Sequence, residues 1–229
     1  MAEATAPRFQ RNLGTLGLDG QTALFAAHAV VVGLGGLGGH VVDQLARCGV
    51  GHITGLDPDV FDETNLNRQL LATTQTVGRS KTLVAAERIA AVNPACIFTP
   101  FSLRHDQLPI EVWSQASIVV DCLDSIPDRL DLAAICTRHQ RVLIHGAVAG
   151  WYGQVAVIWP GQNILSVVYP DHGPGWERQL GNPPFTVAIT ASLMVAQSVK
   201  VLLGLEPQGQ PHIDFIDVRN RHWDTLDVS

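Results

Sequence analysis

No Cys-x-x-Cys pair occurs in the 229 residues, and the four cysteines, at 48, 96, 122 and 136, stand too far apart for a zinc ribbon or a thioredoxin-like motif. They read as buried free thiols. Positive charge is also scarce: 15 Lys and Arg stand against 21 Asp and Glu, and a net charge of −6 gives no overall pull toward nucleic acid or an anionic membrane. Neither is an expected partner, and any bound phosphate needs a local site. The opening MAEATAPRFQRN has no apolar h-region, which excludes a secretory signal there and makes the cytoplasm the expected compartment. Two long uncharged runs, Gln21 to Val42 and Val142 to Pro170, are interrupted by Gly, or by Gly, Pro, Gln and Asn, so neither reads as a lipid-facing helix. Charged residues make up only 16% against 46% hydrophobic, which excludes a disordered chain. Internal repeats and low-complexity segments are absent from the sequence.

What is present alternates between strands and helices. Ala29 to Val32 is a β-branched run followed by Gly33-Leu-Gly35-Gly36-Leu-Gly38-Gly39, after which Leu37, Val41, Val42, Leu45 and Ala46 recur at helical spacing as far as Gly49. His52 to Leu56 makes a second strand ending at Asp57. A helix over Ser80 to Val92 stops at Asn93-Pro94, because the residue before proline avoids the α region. Strand Cys96 to Phe101, a helical stretch near Ile110 to Gln115, strand Ser117 to Asp121, helix Pro127 to His139 and strand Arg141 to His145 follow. This rhythm predicts a doubly wound, Rossmann-like, mainly parallel α/β sheet.

Beyond residue 150 the pattern changes. Tyr152 to Trp159 and Ile164 to Val168, separated by Pro160-Gly-Gln-Asn163, read as an antiparallel hairpin continuing the sheet. Asp171 to Phe185 is a Gly- and Pro-rich crossover loop, Thr186 to Leu203 a helix apolar nearly all round, and Ile213 to Val218 a last strand. We expect one domain over 1–229: an N-terminal helical arm (1–28), a nucleotide-binding core (29–150) and a mixed-sheet part (151–229).

The chemistry starts at the glycine turn. Gly33, Gly35, Gly36 and Gly38 let phosphate approach backbone N–H groups at the positive end of a helix, and Asp57 can accept ribose hydroxyls. On these residues alone an NAD(P) enzyme fits as well as any other. The stretch that follows favours ATP. Asp57-Pro-Asp59-Val-Phe-Asp-Glu-Thr-Asn65-Leu-Asn67-Arg68-Gln69 and then Gly78-Arg-Ser-Lys81 supply cations for a triphosphate in Arg68 and Lys81, and neutral hydrogen bonds in Asn65 and Gln69. Asp121-Cys-Leu-Asp124 ends another strand, and Asp124 can hold a Mg²⁺ on the phosphates or serve as a helix N-cap. The nine histidines, His145 and His172 among them, read as structural.

These motifs, with Arg8-Phe-Gln-Arg11, Leu18-Asp-Gly-Gln21 and Gly153-Gln-Val155, resemble the ThiF/MoeB/HesA branch of the ubiquitin-activating-enzyme superfamily over nearly the whole chain. The resemblance implies ATP- and Mg²⁺-dependent adenylation of the C-terminal Gly-Gly carboxylate of a small ubiquitin-like, sulfur-delivering carrier. By it, Gly35, Asp57, Asn65, Arg68, Gln69 and Lys81 bind nucleotide, Asp124 sits by the metal, and Arg11 reaches the neighbouring subunit's site in a homodimer. Zinc-binding relatives carry Cys-x-x-Cys where this chain reads Ser166-Val-Val-Tyr169, so no zinc is expected; the crossover loop has no cysteine for a thioester or persulfide. Adenylation of a small-molecule or tRNA-borne carboxylate, or a non-catalytic or NAD-binding module, are the alternatives.

Overall fold

The computed structural model describes residues 5–170 and 176–228. Among them, eight strands form one sheet in the order β3-β2-β1-β4-β5-β6-β7-β8: β1 (His28–Val32), β2 (His52–Leu56), β3 (Ile97–Phe101), β4 (Ile118–Asp121), β5 (Leu143–Ala149), β6 (Tyr152–Ile158), β7 (His212–Asp217) and β8 (His222–Asp227). The first five run parallel and the last three are antiparallel additions. The expected doubly wound sheet with an antiparallel continuation is the one observed.

Helices α1 (Leu13–Ala26), α2 (Gly36–Cys48) and α3 (Lys81–Val92) share one core with α8 (Pro184–Leu202). On the opposite face, α4 (Ile110–Gln115), α5 (Ile126–Arg138) and the short α6 (Ile164–Val168) enclose a second core around Trp113, Leu132 and Ile158. A further short helix, α7, covers Glu177–Leu180. The apolar positions read from the sequence explain this layering: Leu37, Val41, Val42 and Leu45 all face inward from α2. Helix α8 has the length and mean hydropathy, 1.6, of a membrane span, but it packs on β5, β6 and α2. Its Thr190 and Met194 lie against Gly153 and Gly146, where any side chain would collide. Phe185 and Ile189 on its outer side remain 41% exposed.

Two expectations need correction. Ile164 to Val168 is helix α6, not the second strand of a hairpin. A short apolar run has no decisive period, and both edges of β6 are taken, by β5 and β7, so Ile164 and Leu165 bury against the second core instead. Strand β8 went unread because all its residues are exposed, leaving no inward-outward alternation. Within the expected loop, 176–185 holds α7 and the start of α8; 171–175, with His172, lies outside the described residues. Among the described residues of the N-terminal segment, a 3₁₀ turn at Pro7–Phe9 precedes α1, and the segment is anchored to the body. Phe9 is buried against Gly49, Arg8 Nη1 donates to Asn93 Oδ1 at 2.9 Å, and Gln21 Nε2 donates to the Cys48 carbonyl at 2.8 Å.

At the N-terminal ends of β1 and β2, His28 and His52 stack with ring centroids 3.8 Å apart, each ring bonded to a threonine hydroxyl at 2.9 Å. Burial, and then the neighbouring ring, lower the His28 pKa to about 4. The unfolded chain therefore takes up this proton near pH 6.5 and the folded one does not. The stability is complete above about pH 6.5 and is lost as pH falls toward about 4, on the order of 2 kcal/mol. Urea unfolding across this window is expected to show a smaller loss in His28→Gln than in the parent chain; equal losses would contradict the assignment.

Candidate functional site

In the sheet, β1 is flanked by β2 on one side and β4 on the other, so the order of connection reverses between β1 and β4. A crevice at the carboxyl ends of the strands follows from that reversal, and a cavity of about 290 Å³ lies there. The predicted residues Gly33, Gly35, Gly36, Asp57, Asp59, Arg68, Gln69, Lys81 and Asp124 all line it.

The turn from β1 into α2 needs glycine for steric reasons. Gly33 has φ +90°, and a Cβ there would stand 2.7 Å from the Cys122 carbonyl oxygen. A Cβ on Gly38 would meet the Gly33 carbonyl oxygen at 1.8 Å, so Gly38 seats the helix and does not itself line the cavity. The result is a helix N-terminus aimed at open space, with backbone donors that the helix cannot satisfy.

Asp57 stands just past β2, buried, with Oδ2 accepting from Leu34 N at 2.7 Å and Oδ1 from Asp59 N at 2.9 Å. Burial pushes its carboxyl up despite the opposing charge of Lys81, 3.6 Å away. Lys81, buried at the start of α3, also holds Asp59 at 3.0 Å. Arg68 donates from Nη1 to Asn67 Oδ1 at 2.8 Å and to the Thr64 carbonyl at 3.1 Å, while its Nε and Nη2 have no partner among the described residues. Gln69 Oε1 is buried without a donor. An orphan acceptor of this kind costs about 1–3 kcal/mol, and ribose hydroxyls or a base amino group could satisfy it, whereas phosphate oxygens could not.

Asp124 is exposed, with no hydrogen bond or ion pair among the described residues. The N-cap of α5 is Ser125, which removes capping as the explanation for Asp124. The other predicted residues lie outside the lining. Asn65 caps a short 3₁₀ turn by accepting from Asp62 N at 3.1 Å, and Arg11 is exposed on the N-terminal arm.

Sequence reasoning missed Arg104 and Arg129, both on the wall. Arg104 follows β3 and pairs with Asp128 at 2.8 Å; its position after a parallel strand was the available signal. Arg129 is buried in α5 and carried none. Cys122 also borders the cavity, its thiol pushed well above the ordinary range by burial.

A parallel sheet that reverses beside a glycine turn, with a charged cavity at the reversal, defines the doubly wound α/β class. The chain belongs to the ThiF family, whose model matches residues 9–229. It is 30% identical over 220 residues to the sulfur carrier protein ThiS adenylyltransferase of Escherichia coli, covering 93% of this chain and 87% of the relative. It is 32% identical over 235 residues to the sulfur carrier protein adenylyltransferase of Thermus thermophilus, covering 96% and 85%. Among solved structures, E. coli MccB with ATP superposes with a TM-score of 0.77 at 21% identity, over 97% of this chain and 71% of that one. PaaA gives 0.80 at 18%, over 97% and 82%. These two support the fold.

Gly38→Ala is expected to lower stability by about 1–3 kcal/mol through backbone displacement, read as a melting temperature several degrees lower. An unshifted melting curve would show that α2 is not seated as described.

Proposed function

We propose that the chain adenylates the C-terminal glycine carboxylate of a small ubiquitin-like carrier protein, using ATP and releasing pyrophosphate. The observation that carries this reading is the meeting of the glycine turn, Arg68, Lys81 and the unpartnered Asp124 carboxylate in one cavity at the strand reversal. The relatives' names supply the acceptor class, since they are adenylyltransferases of sulfur carrier proteins.

A carboxylate approaching the α-phosphorus brings two anions together, and charge grows on the departing pyrophosphate; fixed cations offset both. Arg68 has donors to spare. Lys81 is held in place by Asp57 and Asp59. Asp57 keeps acceptor capacity for ribose hydroxyls beyond the two N–H groups it already holds. Gln69 adds a neutral hydrogen bond through its unpartnered Oε1, while Asn65 holds the 3₁₀ turn that leads to Arg68. The attacking carboxylate is ionised at neutral pH, so no general base is required.

Magnesium fits this donor set, because Asp124 offers hard carboxylate oxygen with no competing partner and Mg²⁺ is usually held by one or two carboxylates together with phosphate. When bound, it would neutralise charge on the triphosphate. Zinc has no part in the scheme. The homodimer remains part of this reading: the exposed apolar side of α8 suits a two-fold partner, and Arg11 would add positive charge to the partner's site.

The experiment is ATP–pyrophosphate exchange with Mg²⁺ and a carrier ending in Gly-Gly. Exchange dependent on the carrier is expected, with Arg68→Ala lowering it on the order of 10²- to 10³-fold. Exchange driven by small carboxylates, or NAD binding without ATP binding, would overturn the reading. In mixtures of Arg11→Ala with Arg68→Ala subunits, partial recovery of activity is expected. No recovery despite confirmed subunit exchange would remove Arg11 from the partner's site.

A further inference from the structure

Beneath the cavity lies a buried polar chain that the proposed chemistry does not use. Asp121 at the end of β4 and His145 in β5 are both fully buried, with His145 Nδ1 2.7 Å from Asp121 Oδ2. A carboxylate can only accept, so Nδ1 carries the proton. On the far side, His145 Nε2 faces two donors, Gln154 Nε2 at 3.1 Å and the Tyr169 hydroxyl at 3.3 Å. Gln154 also donates to Tyr169. The imidazole therefore links β4 to β6 and to the residue that caps α6, two positions before residue 171. It stays neutral: burial lowers its pKa despite the opposing effect of Asp121. Burial acting alone would raise the Asp121 carboxyl, but Arg129 and then the His145 hydrogen bond hold it below the usual range.

The near end of the chain reaches the loop that carries Asp124. Asp121 Oδ1 accepts from Leu123 N at 3.0 Å. Arg129, 3.8 Å from Asp121 Oδ2, donates to the Leu123 carbonyl and, at 2.8 Å, to that of Gly146. Both backbone polar groups of Leu123 are thus tied to buried charge, and the next residue is the free carboxylate on the cavity wall. A hydrophobic core would fill this space at lower cost, because each buried ion carries a desolvation penalty of several kcal/mol.

We propose that His145 is a positioning residue for the metal site: steadied by Gln154 and Tyr169, it orients Asp121, which with Arg129 fixes the Leu123 turn and so the place of Asp124. This rests on the reading of Asp124 as the Mg²⁺ carboxylate. Removing a partner bonded directly to a metal ligand weakens metal binding by about 10- to 100-fold. His145 acts further out, through Asp121 and the Leu123 backbone, so the lower end of that scale, about 10-fold, applies here.

The two ends of the imidazole can be tested apart. An Asn side chain places its amide near the Nδ1 position and keeps the bond to Asp121; Gln extends toward the Nε2 position and loses it. The measurement is Mn²⁺ affinity for the protein with ATP, by electron paramagnetic resonance, alongside ATP affinity without metal and hydrogen exchange at the Leu123 amide. His145→Gln is expected to weaken Mn²⁺ affinity about 10-fold and to speed exchange at Leu123, with metal-free ATP affinity unchanged. His145→Asn is expected to stay within a few-fold of the parent, and Tyr169→Phe to give a smaller loss than His145→Gln. If His145→Gln fails to fold, Tyr169→Phe carries the test: parental Mn²⁺ affinity and Leu123 exchange in that variant would then overturn the proposal. Equal Mn²⁺ affinity in a folded His145→Gln and the parent would overturn it while leaving the adenylation reading intact. Failure of the parent to bind ATP would overturn both.

Discussion

At Gly33 and Gly38 two pieces of backbone lie closer than any side chain permits, and the rest of the cavity depends on that approach. It seats the first turn of α2 on the end of β1 and leaves the positive end of the helix directed at the strand reversal. Asp57 then fastens the turn from the next strand through the Leu34 amide. The loop after β4 closes it from the other side, with the Cys122 carbonyl against Gly33 and the Cys122 amide bonded to the Val32 carbonyl at 2.9 Å. A displacement of α2 would therefore move the backbone donors at its N-terminus, the acidic strand end and the Asp124 loop together.

Charge around the cavity is arranged in buried pairs. Asp57 has Lys81 beside it and Asp121 has Arg129, each carboxylate standing at or just past the carboxyl end of a parallel strand. Such pairs are poor devices for stability, since desolvation consumes most of their attraction. They are effective devices for orientation, because a desolvated ion tolerates few geometries. Arg68 and Asp124 differ. Arg68 is half-buried with donors unspent, and Asp124 is exposed and unpartnered. The buried pairs fix the frame, while the groups with spare valence face the space where a ligand would lie.

Much of this was legible in the sequence, and for identifiable reasons. The β-branched run before Gly33, the apolar spacing of Leu37 to Leu45 and the stop at Asn93-Pro94 are local signals, and the parallel half of the sheet follows from them. The glycine turn and the strand-end carboxylates were readable because the doubly wound fold always opens its crevice there. Ile164 to Val168 was misread because whether that run pairs or coils is decided by β7, which arrives more than 40 residues later and takes the free edge of β6. Strand β8 carries no pattern, being exposed throughout. The network around Arg129 and His145 was beyond reach for a related reason: it joins β4, α5, β5 and β6, and no spacing along the chain records it.

The most direct test of the account follows the oxygen atoms. A carrier labelled with ¹⁸O in its C-terminal carboxylate is incubated with the protein, ATP and Mg²⁺, and the phosphorus products are analysed after hydrolysis of the adenylate. If the carboxylate oxygen bonds to the α-phosphorus as the bond to pyrophosphate breaks, hydrolysis at the carbonyl carbon leaves the label in AMP and none in pyrophosphate. Label in inorganic phosphate, with ADP as the other product, would place the attack at the γ-phosphorus and contradict the account.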